Sequence, residues 1–490
     1  MKKVILFFLM AQLLIFNLQA DKKCSLSSDY LASNDDDITL SGNVKMEYNI
    51  GKLSSQNAIL SRASDVDGLN LDFLRLSDTV DITFRDYSRI SCHLANINYT
   101  TLTANFFSGE SASQVVYTND ILNTSGDVIP IVMKSKNINL RLIHNQDVYD
   151  VNNIFAQNDV EISYGSDIET RSQRAVYHNV SNGDEAKNSV SGVIFLMPLN
   201  KGDLCTVSDN NNNKVEAKNI RLDTNKHSLS CSKMNAKIYQ QSGSFFSVQA
   251  DKGVWDINNG LFSIRENVIL KHPNFGKISC EESLDIFQTE TPNGPEWTNL
   301  STQGTSSWTF YDKLGNDYHN IISHGSMDID DIAGKVDIKS PFSNGLPRYK
   351  QVIYSNKTGQ IYGNTISLEY GCAENGVAVN KILIDGNVRI INKLIDSEGN
   401  SNDVSKYILA DFAEYNPENN SVLLKSNGDK NVLLLDRLND LQVSSKAISI
   451  DLTDGRGRES VQGLGKVRFS FSEKEYEEFK NNFNLEMDNL

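Results

Sequence analysis

The sequence predicts an all-β protein, built of antiparallel hairpins in two or more tandem modules and ending in a short helix. Three observations carry this. In Ile264–Ser283, apolar Val268 and Leu270 alternate with Ile269 and Lys271, a break follows at Pro273-Asn274, and Gly276–Cys280 runs on. Period-two alternation on either side of a Pro/Asn/Gly connection reads as strand, turn, strand. The same unit recurs along the chain. Val44 is followed by Ala58 after 14 residues, and the spacing is 15 from Val80 to Ala95, Val160 to Ala175 and Val432 to Ala447. Val268 to Ser283 gives 15 again with Ser in place of Ala, and Ile384–Val388 opens a further copy. Spacings between copies are irregular, so the units form a chain of similar hairpins and not a strict solenoid. Finally, only 8 Pro accompany frequent Asn, Asp, Ser and Gly, a composition of Asx and glycine turns.

In chain order, residues 1–20 read as a cleavable signal peptide. Lys2-Lys3 precedes the apolar run Val4–Phe16, which is short for a membrane span, and Leu18-Gln19-Ala20 offers a small-residue cleavage site. Charged Asp21-Lys22-Lys23 ahead of Cys24 argues against lipidation. Residues 21–208 form an N-terminal β module, whose Asp35-Asp36-Asp37 run is a solvated edge without the spaced ligands of a calcium loop. The Asn-rich loop Asp209–Asn213 opens a middle hairpin module, 209–290, continuous with the first or separate from it. The Pro292-Asn293-Gly294-Pro295 breaker then leads to a C-terminal β module over 297–471. In that module Asp396–Lys406 reads as a polar insert between two strands. Residues 472–490 are an acidic tail in which Ser472-Glu473-Lys474-Glu475 is a capping box and Tyr476, Phe479 and Phe483 follow at helical spacing.

The 490-residue chain has a formal charge of −15, which argues against nucleic acid and against capture by an anionic membrane. Six cysteines include no Cys-x-x-Cys. Cys92, Cys231 and Cys280, each in a Ser-Cys pair, read as small buried apolar residues in preference to a disulfide framework. Seven scattered histidines give no metal spacing, and there is no phosphate loop or nucleophile elbow. Asp328-Ile329-Asp330-Asp331 invites comparison with the carboxylates of a β-solenoid acting on polysaccharide, yet nothing else converges on it. The sequence therefore implies no enzyme, no catalytic residue, no cofactor and no metal.

The repeated unit resembles the OstA-like domain of the lipopolysaccharide-transport proteins (LptA, LptC and the N-terminal part of LptD). The resemblance rests on Gly42-Asn43-Val44 with Leu53 and Ala58, Asn158-Asp159-Val160 with Ala175, and Glu266-Asn267-Val268 with Ile278. Gly386-Asn387-Val388 and Ala410–Tyr415, then Val432 and Ala447, extend it over most of 38–470. It implies an elongated antiparallel β-jellyroll in two or more tandem modules, two sheets in a V. The function it implies is a periplasmic, non-enzymatic protein that shields lipopolysaccharide or another envelope lipid on the way to the outer membrane. Such a protein lies in the periplasm, either free or peripheral to the outer membrane. Its partners are other OstA-like proteins or an outer-membrane translocon, joined by end-to-end strand addition.

Under this reading Val44, Met46, Val80, Ile82, Phe84, Val160, Ile162, Val388 and Ile390 are the groove candidates for acyl chains. An ordinary closed sandwich core is the alternative for the same residues, and it implies an envelope scaffold. The chain departs from the family in length and in lacking a C-terminal barrel. Its acidity offers lipid A phosphates no attraction without divalent cations or local basic patches.

Overall fold

The computed structural model describes residues 25–34, 37–62, 71–109, 113–122, 126–145, 148–178, 192–240, 243–273, 275–292, 294–312, 318–341, 350–373, 376–395, 401–438, 440–454 and 458–470. The signal peptide and the C-terminal helix expected from sequence lie outside these residues. Among the described residues there is no α-helix, and the strands pair antiparallel. The chain divides into two compact units. The first ends at Ser232 and includes Asp256–Asn258; the second is Lys233–Trp255 and the chain from Asn259 on.

Unit 1 holds β1 (Ser25–Ser27), β2 (Tyr30–Ser33), β3 (Asp37–Tyr48), β4 (Gly51–Arg62), β5 (Leu71–Phe84), β6 (Arg89–Asn98), β7 (Thr103–Phe107) and β8 (Val115–Leu122). It continues through β9 (Val128–Ser135), β10 (Asn137–Asn145), β11 (Val148–Tyr164), β12 (Ile168–His178), β13 (Val193–Met197), β14 (Cys205–Asp209), β15 (Lys214–Asp223) and the start of β16 (Ser228–Tyr239). Its long strands each serve two ladders. In β6, Arg89–Ser91 pair with β8 while Leu94–Asn98 pair with β7. In β11 the first part pairs with β10, and Glu161–Tyr164 pair with β9. In β12, Ile168–Arg171 pair with β14 and Arg174–His178 with β13. Two layers thus share strands that cross from one to the other.

The crossing point is where the repeated motif sits. Gly42-Asn43, Asp78-Thr79, Asn158-Asp159 and Gly386-Asn387 each place two successive residues at positive φ, between +46° and +78°. At each pair the ladder slips, with two residues facing one, as between Ser41/Val44 and Gln157/Val160. Such a bulge bends and twists a strand. Left-handed backbone is costly for most side chains and mildest for Gly, Asn and Asp, so the motif's composition is a backbone requirement. Side chains brace several corners. Asn43 Nδ2 donates to Asp29 Oδ2 at 2.9 Å, Asn57 Nδ2 to Asp78 Oδ2 at 2.9 Å, and Lys136 pairs with Asp159 at 2.8 Å. The Val after each corner is the first inward residue of the second layer, and Ala58, Ala95 and Ala175 fill the first layer beside it, all buried.

Unit 2 takes over within β16, and then holds β17 (Phe245–Asp256), β18 (Leu261–Arg265), β19 (Val268–His272), β20 (Gly276–Cys280), β21 (Ser283–Thr291), β22 (Gly294–Gln303), β23 (Ser306–Tyr311), β24 (Tyr318–Ser323) and β25 (Ser326–Asp330). Next come β26 (Lys335–Lys339), β27 (Val352–Ser355), β28 (Gly359–Gly363), β29 (Thr365–Ala373), β30 (Gly376–Ile395) and β31 (Ser401–Asn416). The last are β32 (Ser421–Lys425), β33 (Val432–Asp436), β34 (Leu441–Ser445), β35 (Ala447–Asp454), β36 (Arg458–Leu464) and β37 (Arg468–Ser470). In its first half the corners cut strands in two. Glu266-Asn267, at φ +64° and +54°, separates β18 from β19, which pair with β21 and β20 respectively. One layer then runs β19–β20–β23–β24–β27–β28–β30, and the other β18–β21–β22–β25–β26–β29–β30. The predicted hairpin β19–β20 is present, with Val268 opposite Cys280. The Pro292 segment lies at the tip of the β21–β22 hairpin, where Thr291 faces Gly294.

One expectation is corrected. Ser401–Lys406, read from sequence as part of a polar insert, begins β31 and extends its pairing with β30 as far as Ile395–Ser401. Its polar residues belong to a strand ladder, not a loop: Ser405 is buried and Lys406 pairs with Asp436.

Cys205, Cys231 and Cys280 are buried and Cys92 is half-buried; all four are free thiols. Burial pushes Cys92 and Cys231 up to about 12 and Cys205 up to about 11. Against the ordinary value of 9.0, this lowers the thiolate fraction at pH 8 by roughly 100- to 1000-fold. Labelling with a thiolate-directed reagent, mapped by peptide mass spectrometry, should leave Cys205 and Cys231 untouched until the protein unfolds. Rapid labelling of either in folded protein would contradict their placement.

Candidate functional site

What fills the space between the layers differs along the chain. In unit 1 it is large aromatic side chains: Phe106, Tyr117, Tyr164 and Tyr177 are all fully buried. Burial, and after it the carboxylate of Asp86, raises the pKa of both Tyr117 and Tyr177, which belong to opposite layers. The outer ends of the layers are tied as well. Tyr48, Tyr99 and Tyr149 form an edge-to-face cluster at 5.8 and 5.4 Å. Tyr164 Oη meets His227 Nδ1 at 2.9 Å.

The first half of unit 2 is filled in the same way. Trp308 stacks on Phe275 at 4.6 Å and 13°, touches Phe310 at 4.4 Å and faces Tyr370 of the other layer at 6.0 Å. Phe310 stacks on His319 at 5.1 Å, and His319 Nδ1 shares a 2.7 Å hydrogen bond with the Tyr354 hydroxyl. At the outer ends, Asp312 bridges to Val377. Of these rings His319 and Tyr354 also border the space beyond, where Tyr415 is the further aromatic residue on the lining.

Past that bridge a cavity of about 660 Å³ opens between the layers. One wall comes from β28, the second half of β30 and the first half of β31, with Ile361, Ile390 and Ile408. The other comes from the first half of β30, the second half of β31, β32 and β35, with Val379, Ile382, Ile384, Ala413, Val422 and Ile450. Packed sheets stand roughly 10 Å apart, a gap that facing Trp and Tyr side chains span and that Ile, Val and Ala leave partly empty. The cavity follows from that change of residue type. Its rim is polar: Asn356, Thr358, Gln360, Asn380 and Asn392, with Asp312 and Glu418. Lys406 also lines it, its Nζ 3.8 Å from Asp436 Oδ2, with the two side chains 15% and 0% exposed.

All nine groove candidates from the sequence are buried, Ile390 being the most exposed at 9%. The seven in unit 1 (Val44, Met46, Val80, Ile82, Phe84, Val160 and Ile162) lie in the part of β3, β5 and β11 that follows the corner, all on one layer. Ile390 lines the cavity, and Val388, beside the corner and two residues before it, is buried without being part of the lining. Sequence reasoning missed Ile382, Ile384, Ile408, Ala413, Val422 and Ile450. The alternation of Ile382 and Ile384 ahead of Gly386 was the available signal, because the motif directs attention only to residues after the corner.

No family model matches the chain, and no curated protein matches it. Among the described residues no group of three or more His, Cys, Asp or Glu is placed to hold a metal ion. No helix among them is long and apolar enough to cross a membrane. The Asp328–Asp331 carboxylates are spent on structure. Asp328 accepts from Ser301 Oγ at 2.7 Å, Asp330 from the Ala333 N–H at 2.9 Å, and Asp331 from Tyr370 Oη at 3.0 Å.

Proposed function

We propose that this is a non-enzymatic lipid-binding protein of the OstA-like class, exported to the periplasm, which shields acyl chain from water between its two β layers. The observation that supports this reading most is the cavity beyond the Asp312–Val377 bridge, walled by aliphatic side chains of both layers and rimmed by amides. Pockets of roughly 300–1,000 Å³ accommodate one small ligand. At about 660 Å³ the site suits one amphiphile and is small for the many chains of a lipid A. Each Å² of acyl surface removed from water contributes about 25 cal/mol, so no covalent step is needed to retain a chain. Of the expected cargo class, lipopolysaccharide or another envelope lipid, the cavity's size favours the smaller lipid, and other OstA-like proteins or an outer-membrane translocon are the partners.

A second reading, an envelope scaffold, is favoured by the aromatic filling of unit 1. We assign that role to unit 1 and lipid binding to unit 2.

The test is native mass spectrometry of mature protein isolated gently from a Gram-negative periplasm, with extraction and analysis of bound lipid. One amphiphile per chain is expected, lost in Val379→Trp and Val422→Trp, two half-buried lining positions where a larger ring fills the cavity. Protein that is lipid-free and ignores added lipid would overturn the reading.

A further inference from the structure

The charges around the cavity say which amphiphile fits. Lys406 is the one cation of fixed charge among the described lining residues, and the fully buried carboxylate of Asp436 lies 3.8 Å from it. Two further carboxylates, Asp312 and Glu418, stand on the lining. The other polar side chains on the lining are four amides from Asn356, Gln360, Asn380 and Asn392, the hydroxyls of Thr358, Tyr354 and Tyr415, and the imidazole of His319, whose Nδ1 is engaged by Tyr354 at 2.7 Å. An anionic headgroup brought to this rim finds its one lysine already opposed by Asp436, and the exposed carboxylate of Glu418 on the same lining. A charged headgroup gives up more hydration on entering than a neutral one and gains no ion pair in return. A headgroup of hydroxyls or amides instead exchanges hydrogen bonds with the side-chain amides, each of which both donates and accepts.

The polarity is also divided along the site. On β30, Ile390 precedes Asn392, and on the facing β31 residues Ile408 follows Lys406, so the apolar end lies toward the corner and the polar end toward the strand ends. A chain enters tail first, leaving its head at the amides.

We infer that the cavity takes a single-chain amphiphile with an uncharged, hydrogen-bonding headgroup, of glycosyl or acylglycerol type, in preference to a carboxylated or phosphorylated one. This rests on the lipid-binding reading above and narrows it.

The experiment is a competition series on the full mature chain against a fluorescent acyl probe. It uses a monoacylglycerol, an alkyl glucoside, a fatty acid and a lysophosphatidic acid of equal chain length, each with EDTA and with Mg²⁺. The two uncharged ligands are expected to compete at least tenfold better than the two anionic ones in both conditions. Glu418→Lys should narrow that ratio without weakening the uncharged ligands, and Val379→Trp should abolish competition by all four. Anionic ligands binding as well or better, with EDTA or only with Mg²⁺, would overturn the headgroup assignment while leaving lipid binding intact. No displacement by any of the four, or competition unchanged in Val379→Trp, would instead remove the lipid-binding site and the inference with it.

Discussion

Replacing Trp308 with alanine is expected to destabilise the protein by roughly 3–5 kcal/mol, the cost of removing a large aromatic side chain from a packed interior. Trp308 is 0% exposed and has ring neighbours in both layers: Phe275 and Phe310 in its own, Tyr370 in the other. Its Nε1 donates to the Phe275 carbonyl at 2.9 Å, so alanine leaves a void and also an unsatisfied buried acceptor. Chemical denaturation is the measurement, with Trp308→Phe as a comparison that keeps a ring and loses the donor. Trp308→Phe should lose less than Trp308→Ala, and a loss below about 1 kcal/mol for alanine would contradict the packing described.

The second large effect is expected at a corner. Val is among the best strand formers, so Asn158→Val with Asp159→Val, inside the 17-residue strand Val148–Tyr164, would stabilise an ordinary strand. Here both residues are left-handed, at φ +65° and +53°, and β-branched side chains are poorly accommodated there. At about 1–2 kcal/mol for each left-handed position, a loss of roughly 2–4 kcal/mol is expected. Asn158→Gly with Asp159→Gly separates the backbone from the side chains. It too loses the Lys136–Asp159 pair, whose partners are 59% and 52% exposed and which contributes little. It should therefore remain within about 1 kcal/mol of the parent. Equal stability of the Val and parent proteins in thermal or denaturant unfolding would refute the corner geometry.

These two sites mark what was legible in the sequence. Period-two alternation gave the strands because side-chain direction in a strand is local, and the β19–β20 hairpin sits where Val268–Cys280 predicted it. The recurring Gly/Asn-Asx-Val was visible as a repeat. Its meaning was not, because a corner is defined by a change of pairing partner, such as β11 moving from β10 to β9, which no local pattern encodes. Burial of the nine groove candidates followed from alternation. The cavity did not, since it arises where aliphatic Ile384, Ile408, Ala413 and Ile450 meet between the layers, residues up to 66 positions apart in sequence, with rings only from His319, Tyr354 and Tyr415 on the lining. Ser401–Lys406 was misread for a related reason: Ser405 is buried and Lys406 pairs with Asp436, a partner 30 positions on that no local pattern shows.

The claim on which the functional account depends is that acyl chain enters the layers of unit 2 and not those of unit 1. Photo-crosslinking with a diazirine placed near the tail of an acyl probe, followed by peptide mapping, tests it most directly. Crosslinks are expected on the strands that wall the cavity, β28, β30, β31, β32 and β35, and should vanish with Val422→Trp. Crosslinks to β5, β6 or β11, around the interior holding Tyr117 and Tyr177, or a pattern unmoved by that substitution, would contradict it.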